Sequence, residues 1–504
     1  MATHRGPEDR RSSSAGAGGG LSGRRLSGPQ LARLLTRVPP ERPYYAALAR
    51  AVRGLVLDGG LPPRVRLPAE RDLAGALGVS RTTVTAAYDA LRAEGFLESR
   101  QGAGSWTALP LGGMPAPGSP HAGPLGAAHA WSQADAIDLT CAAPGAPGVF
   151  QEAVEAAVAE LPRYSTGPGY EVAGLAPVRE AIAERYRARG LPTRPDQIVV
   201  TTGAQHALSL LLQTLGQPGD AVLVERPTYP HALDAIRHRG MRLIPVGVND
   251  RWDVELIGSS LRQAAVRLAY VIPDFQNPTG HLMADDERAA LVAAAHRADT
   301  LLIADETFAD LAIDGPLPPH RPLAAHDPGG RVISVGSAAK LLWGGLRIGW
   351  IRTTAPLARK LMLARAAVDI ASPVLDQLIV GELLRRVDGI RAQRAHELRE
   401  RRDALAAALT ELLPDWRFTL PAGGMSLWAR LPAPVATPLT DAAARCGVRI
   451  VPGPVFGVDG VLEDYVRLPY VLPAPVLREA VERLAPAYRA VADAPPPRPL
   501  PAYV

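Results

Sequence analysis

From about residue 137 to about 489, short apolar runs alternate with stretches of helical periodicity. This alternation restricts the fold more than any other feature of the chain. The clearest runs are Gln197–Thr201, Ala221–Glu225, Leu268–Pro273, Leu301–Asp305 and Arg331–Val335. Such runs carry apolar residues on both faces, so they have to be covered on both sides. Strands separated by helices can do this by pairing in parallel, with the helices packed above and below. The expected body is therefore α/β with a mainly parallel central sheet. A hydrophobic fraction of 47% with 21% charge supplies enough apolar surface for a large core in 504 residues.

Outside the body the chain changes character. Residues 108–136 are rich in Pro, Gly and Ala and lack periodicity, so they read as a linker. Residues 1–27 read as a disordered basic segment and 490–504 as an extended Pro-rich tail. Residues 1–107 hold 16 Arg and 9 acidic residues, a net of +7, and the rest holds 39 basic and 41 acidic residues, a net of −2. That asymmetry fits a nucleic-acid-binding module and equally well a basic tail. Two cysteines, Cys141 and Cys446, are too few for a disulfide framework, and no Cys/His cluster has zinc spacing, so no metal is expected. No apolar run is long enough to span a bilayer. No apolar stretch follows Arg10-Arg11 or Arg24-Arg25, and a reducing cytoplasm is the expected location.

Residues 28–107 form a compact pattern. Leu48, Val52, Leu55 and Val56 follow helical spacing, and a second helix over about 70–77 ends at Gly78. Ser80 caps a third helix over about 81–93, with Val84, Ala87 and Leu91 on one face. Residues 95–98 and 105–107 read as two strands around a tip at Gly102. Two helices joined by Gly78-Val79-Ser80 and followed by a hairpin make a helix-turn-helix with a wing. The second helix of such a unit offers its N-terminal residues to the major groove, here Ser80, Arg81, Thr82 and Thr83. Arg71 lies where a phosphate contact is expected, and Gly102 lets the wing approach the minor groove. The string Leu67-Pro68-Ala69-Glu70-Arg71-Asp72-Leu73-Ala74, with Gly78-Val79-Ser80-Arg81-Thr82-Thr83-Val84, Ala87-Tyr88 and Glu94-Gly95-Phe96-Leu97, resembles the DNA-binding domain of the GntR regulators.

Lysine occurs only at Lys340 and Lys360, and asparagine only at Asn249 and Asn277. Lys340 follows Ser337-Ala338-Ala339 and precedes Arg347, a grouping of amine, hydroxyl and guanidinium suited to an aldehyde cofactor with a phosphate. Lys360 reads as a helix surface residue. Asp305 ends an apolar run, where it either pairs with a ring nitrogen or caps a helix. Asn277 sits in an Asn-Pro-Thr-Gly turn, and its amide is placed to donate to a phenolic oxygen. Gly203, Ala204 and Gln205 open a helix after a strand, a common phosphate site. Tyr229 also follows a strand, as a stacking ring or as a core residue.

In order and spacing these features are similar to fold-type I aminotransferases. That resemblance implies pyridoxal 5′-phosphate (PLP) as cofactor, with Lys340 as the Schiff-base lysine and Asp305 as the partner of the ring nitrogen. It implies Asn277 on the ring oxygen and Tyr229 stacking, with Gly203, Ala204, Gln205, Ser337 and Arg347 on the phosphate. Arg467 matches the arginine that grips a substrate carboxylate, although a solvated strand residue is the alternative. Tyr164 matches a tyrosine that reaches the partner subunit's phosphate, which implies a homodimer. The chain departs from the pattern at Thr307 and Phe308, where a tyrosine is common, and at Ala339, where serine is common. In its order of modules, nearly all of the chain resembles the MocR subfamily of GntR regulators. That implies a regulator that binds promoter DNA and senses an amino compound or PLP at Lys340. A working aminotransferase with a DNA-binding appendage is the alternative.

Overall fold

The computed structural model describes residues 26–35, 43–57, 61, 65–100, 104–108, 136–248, 251–314, 320–458 and 460–493. The expected basic N-terminal segment up to residue 25, the wing tip at Gly102, most of the linker (109–135) and the end of the tail (494–504) lie outside them. The chain divides into two compact units, residues 1–114 and 115–504.

In the first unit, helices Gly28–Leu34, Tyr44–Leu57, Glu70–Leu77 and Arg81–Ala93 precede an antiparallel hairpin of Leu97–Arg100 and Gly104–Thr107. Gly78 ends the third helix with φ 68°, in the left-handed region where glycine meets no Cβ penalty. The Ser80 hydroxyl accepts from the Thr83 amide and starts the fourth helix. Val84, Ala87, Tyr88 and Leu91 bury one face of that helix against Leu48, Val52, Val56 and Leu73. The first strand begins at Leu97, two residues later than expected. The Gly95 and Phe96 amides are still engaged, donating to Arg92 and Leu91 at the helix end. The helix Gly28–Leu34 was not expected, because seven residues are too few to show a period. It is held by a reciprocal Ser27–Gln30 cap.

The second unit is built on a seven-stranded sheet. In spatial order its strands are Ile198–Thr201, Gly349–Arg352, Val332–Ser337, Leu301–Asp305, Val266–Val271, Ala221–Arg226 and Arg242–Gly247. Only Gly349–Arg352 runs antiparallel to its neighbours. The five apolar runs in the sequence all become strands of this sheet. The other two are the four-residue Gly349–Arg352 and the half-exposed edge strand Arg242–Gly247, whose run contains Pro245. A three-stranded antiparallel sheet of Ser426–Arg430, Tyr465–Pro469 and Val451–Pro452 lies late in the chain. Val448–Arg449 pairs in parallel with Ile137–Asp138 and so ties the start of the body to its end. Among the described residues, no helix is long and apolar enough to cross a membrane, and no group of three or more His, Cys, Asp or Glu could hold a metal ion.

Candidate functional site

Strand order decides which loops meet. Six parallel strands end at one edge of the large sheet, and Gly349–Arg352 begins there, with Gly349 opposite both Thr201 and Ser337. Ligands of open α/β sheets bind at this edge. Gly203, Ala204, Gln205, Tyr229, Asn277, Asp305, Lys340 and Arg347 all lie at or within a few residues of those strand ends.

Asp305 is buried, only 7% exposed. Its Oδ2 accepts from the Tyr270 hydroxyl at 2.5 Å and its Oδ1 from the Thr307 amide at 3.0 Å. Burial holds its carboxyl above the usual range, against the lowering effect of these bonds and of Lys340. A protonated ring nitrogen against this carboxylate would relieve that penalty. Lys340 follows Val332–Ser337, and its Nζ donates to the Ala142 carbonyl at 2.8 Å. The same nitrogen lies 5.6 Å from the centre of the Phe308 ring, so the residue that departs from the family pattern does face the lysine. Burial, helped by Arg467 and Arg347 and opposed by Cys141 and Asp305, pushes the amine down to about 8. Below that pH the amine is protonated and unreactive. Modification of Lys340 by trinitrobenzenesulfonate is therefore expected to rise through about pH 8 and level off above it. Peptide mapping separates Lys340 from Lys360, which is exposed on the helix Ala355–Arg365. A profile still rising steeply above pH 10 would contradict the depressed amine.

The helix Ala204–Leu215 starts at Gly203, with φ 88° and no side-chain cap, so its first amides lack a capping acceptor. A Cβ on Gly203 would lie 2.6 Å from Arg347 Nη2, so the guanidinium sits directly on this turn. Ser337 Oγ accepts from the Ala339 amide at 3.1 Å. Gln205 Nε2 donates to the His231 carbonyl, while Gln205 Oε1 and Thr228 Oγ1 are buried without a partner. Behind the turn, Thr202 Oγ1 donates to Asp369, which is gripped by the fully buried Arg365.

Arg467 comes from the small sheet and is 7% exposed, so it is not the solvated strand residue of the alternative reading. Its Nη1 donates to Asn277 Oδ1 at 3.4 Å and its Nη2 to the Thr140 carbonyl. Its Cζ lies 4.9 Å from the Phe456 ring centre, and its Nε is buried without a partner. The contact with Arg467 turns the donor end of the Asn277 amide elsewhere. The Asn277 turn is itself fixed by Gln276, which accepts from Thr279 and donates to Glu225 and to the Pro227 carbonyl near Tyr229. The Tyr229 hydroxyl is pushed up by burial and by Asp305. Tyr164 follows the turn Leu161–Arg163 and packs on the main core, and among the described residues its hydroxyl makes no hydrogen bond to the residues above.

Sequence reasoning missed Tyr270, Thr140–Ala142, Phe456 and Arg365. Tyr270 lies inside an apolar run, where nothing distinguishes it from core. The others take their roles only from packing.

In the first unit, the Arg81 side chain is 72% exposed and its Nε lies 3.6 Å from Glu70. Arg71 and Thr82 are exposed and Thr83 is half-buried. The Ser80 hydroxyl is occupied by its cap and by the hydroxyls of Thr82 and Thr83.

Residues 147–484 match the family "Aminotransferase class I and II", and residues 44–106 match "Bacterial regulatory proteins, gntR family". The chain belongs to the class I and II aminotransferase family, in the MocR-type fusion with a GntR domain. It is 28% identical to the uncharacterized HTH-type transcriptional regulator YisV of Bacillus subtilis, over 85% of this chain and 92% of that protein. It is 35% identical to the "Probable rhizopine catabolism regulatory protein MocR" of Rhizobium meliloti, over 63% of this chain and 66% of that one. Among solved structures it is similar to LysN, the α-aminoadipate aminotransferase of Thermus thermophilus complexed with N-(5′-phosphopyridoxyl)-L-leucine. That match has a TM-score of 0.66 and 30% identity, covering 71% of this chain and 93% of LysN. The cofactor implied for this MocR-type body is PLP. The site fits it: a half-buried amine, a buried carboxylate, a helix start with uncapped amides beside a guanidinium, and unpartnered polar atoms at Gln205, Thr228 and Arg467.

Proposed function

We propose that this chain is a PLP-dependent transcription regulator that binds promoter DNA as a cytoplasmic homodimer and senses an amino compound or PLP at Lys340. The observation that carries the proposal is the fusion itself, a GntR domain over 44–106 ahead of an aminotransferase body over 147–484. The proposed division is a basic segment (1–27), a winged helix (28–107), a linker (108–136), an effector body (137–489) and a tail (490–504). Tyr164 is assigned to the partner's site.

PLP, when bound, supplies an aldehyde and an electron-poor ring. Lys340 holds it, and Asp305 keeps the ring nitrogen protonated. Asn277 orients the ring, Tyr229 stacks on it, and Gly203, Ala204, Gln205, Ser337 and Arg347 hold the phosphate. An effector places its amine beside Lys340 and its carboxylate on Arg467. It acts as a switch only if it binds the two DNA-related arrangements of the dimer with different affinity. Phe308 offers no hydroxyl near Lys340, which argues against efficient turnover.

The decisive experiment is footprinting on the region upstream of the chain's own gene, with and without PLP and candidate amines, beside an assay of transamination. A footprint that changes with the amine is expected. Enzyme-like turnover with no specific footprint would establish the second reading, an active aminotransferase, which the likeness to LysN favours. Arg81→Ala is expected to weaken operator binding by about 1–3 kcal/mol and relax sequence preference. Unchanged affinity and specificity in a gel-shift titration at fixed salt would remove this helix from the DNA reading.

A further inference from the structure

The wall of the site beside Lys340 is the segment Thr140-Cys141-Ala142. The Thr140 carbonyl accepts from Arg467 and the Ala142 carbonyl accepts from Lys340 at 2.8 Å. Cys141 lies between these two anchors and is exposed, so its side chain reaches open space and not the core. Its thiol is close enough for charge on it to act on Lys340, Arg467 and Tyr229, which come from three separate parts of the fold. Arg467 is itself buried and keeps an unpartnered Nε. A molecule with its amine at Lys340 and its carboxylate on Arg467 therefore lies along the segment that carries Cys141. A sulfur at that position takes up space and offers a soft, weakly polar surface.

We propose that Cys141 is a specificity-determining residue of the effector pocket, setting how much bulk an amino acid can carry between an amine at Lys340 and a carboxylate on Arg467. The favoured class is compact primary amines with a carboxylate and an unbranched aliphatic link. This inference rests on the proposed function, and it assigns a property to a residue that the proposal does not use.

The chain carries its own control, since its only other cysteine, Cys446, is exposed after the helix Ala436–Arg445. The full-length, PLP-reconstituted protein is treated with iodoacetamide in the presence of glycine, alanine, β-alanine, γ-aminobutyrate, valine or leucine. Alkylation of each cysteine is followed by peptide mass. Compact amino acids are expected to slow alkylation at Cys141 and leave Cys446 unchanged. Equal rates at Cys141 with and without every amino acid would overturn the proposal. In a second arm, the same amino acids are titrated spectroscopically against Cys141→Gly and Cys141→Leu. Cys141→Gly is expected to shift preference toward valine and leucine by roughly tenfold or more, and Cys141→Leu to shift it the other way. An unchanged ranking in both variants would also overturn it. Cofactor absorbance of the parent protein is recorded first. Its absence refutes the proposed function, whereas its presence with an unprotected Cys141 refutes this inference alone.

Discussion

Lys340→Ala is expected to lose all covalently held PLP. After reconstitution, borohydride reduction and digestion, the parent protein is expected to carry the phosphopyridoxyl mass on the Lys340 peptide and the variant on no peptide. Lys340→Arg is expected to fail in the same way, because a guanidinium stays protonated and is a poor nucleophile. The loss does not reflect unfolding. The Lys340 amine makes one hydrogen bond, to the Ala142 carbonyl, and such a bond contributes about 1 kcal/mol. Asp305, Arg347 and the uncapped start of the helix Ala204–Leu215 remain in place, so reversible PLP binding should persist at lower affinity. Covalent label on Lys360 in the parent protein would show that the site is misassigned.

Arg365→Leu is expected to be among the most destabilising single changes in the body. Arg365 is fully buried and grips Asp369 through two nitrogens. It also donates to the carbonyls of Val172 and Val200 and to the Ser372 hydroxyl. Removing it leaves two carbonyls without this donor and leaves Asp369, whose side chain is 26% exposed, with the Thr202 hydroxyl but not the guanidinium. Breaking a buried pair in this way costs about 3–5 kcal/mol. The measurement is the urea midpoint of the apo-protein, with Arg385→Leu as control, since Arg385 has a largely exposed side chain and, among the described residues, pairs with Glu382 alone. PLP affinity is expected to fall as well, because Asp369 holds the Thr202 hydroxyl at the turn before Gly203. An unchanged midpoint would mean that the pair is dispensable to the fold.

Much of this fold is written in patterns that burial imposes on strands and helices. The five buried strands of the large sheet are legible because both of their faces are apolar, and helices Glu70–Leu77 and Arg81–Ala93 because Gly78 ends the first and Ser80 caps the second. Arg242–Gly247 escapes notice because Pro245 falls inside its run, and a proline argues against a strand except at a sheet edge. The site is legible where composition makes a residue rare, as at Lys340 and Asn277, or where a strand ends in a charge, as at Asp305. It is not legible where a role depends on a partner far away in sequence. Tyr270 looks like any strand tyrosine until Asp305 is placed on the adjacent strand. Arg365 looks like any helix arginine in a chain that has 53 of them.

The short pairing of Ile137–Asp138 with Val448–Arg449 has a mechanical meaning. It clamps the chain just before Thr140 and Ala142, whose carbonyls meet Arg467 and Lys340. On the other side of the clamp the backbone runs through residues 108–136 to the winged helix. The effector pocket and the DNA reader thus share one covalent thread, fastened at the pocket wall. Whatever moves Arg467 or Lys340 therefore pulls on a backbone already pinned to Val448–Arg449, a few residues from the pinning point.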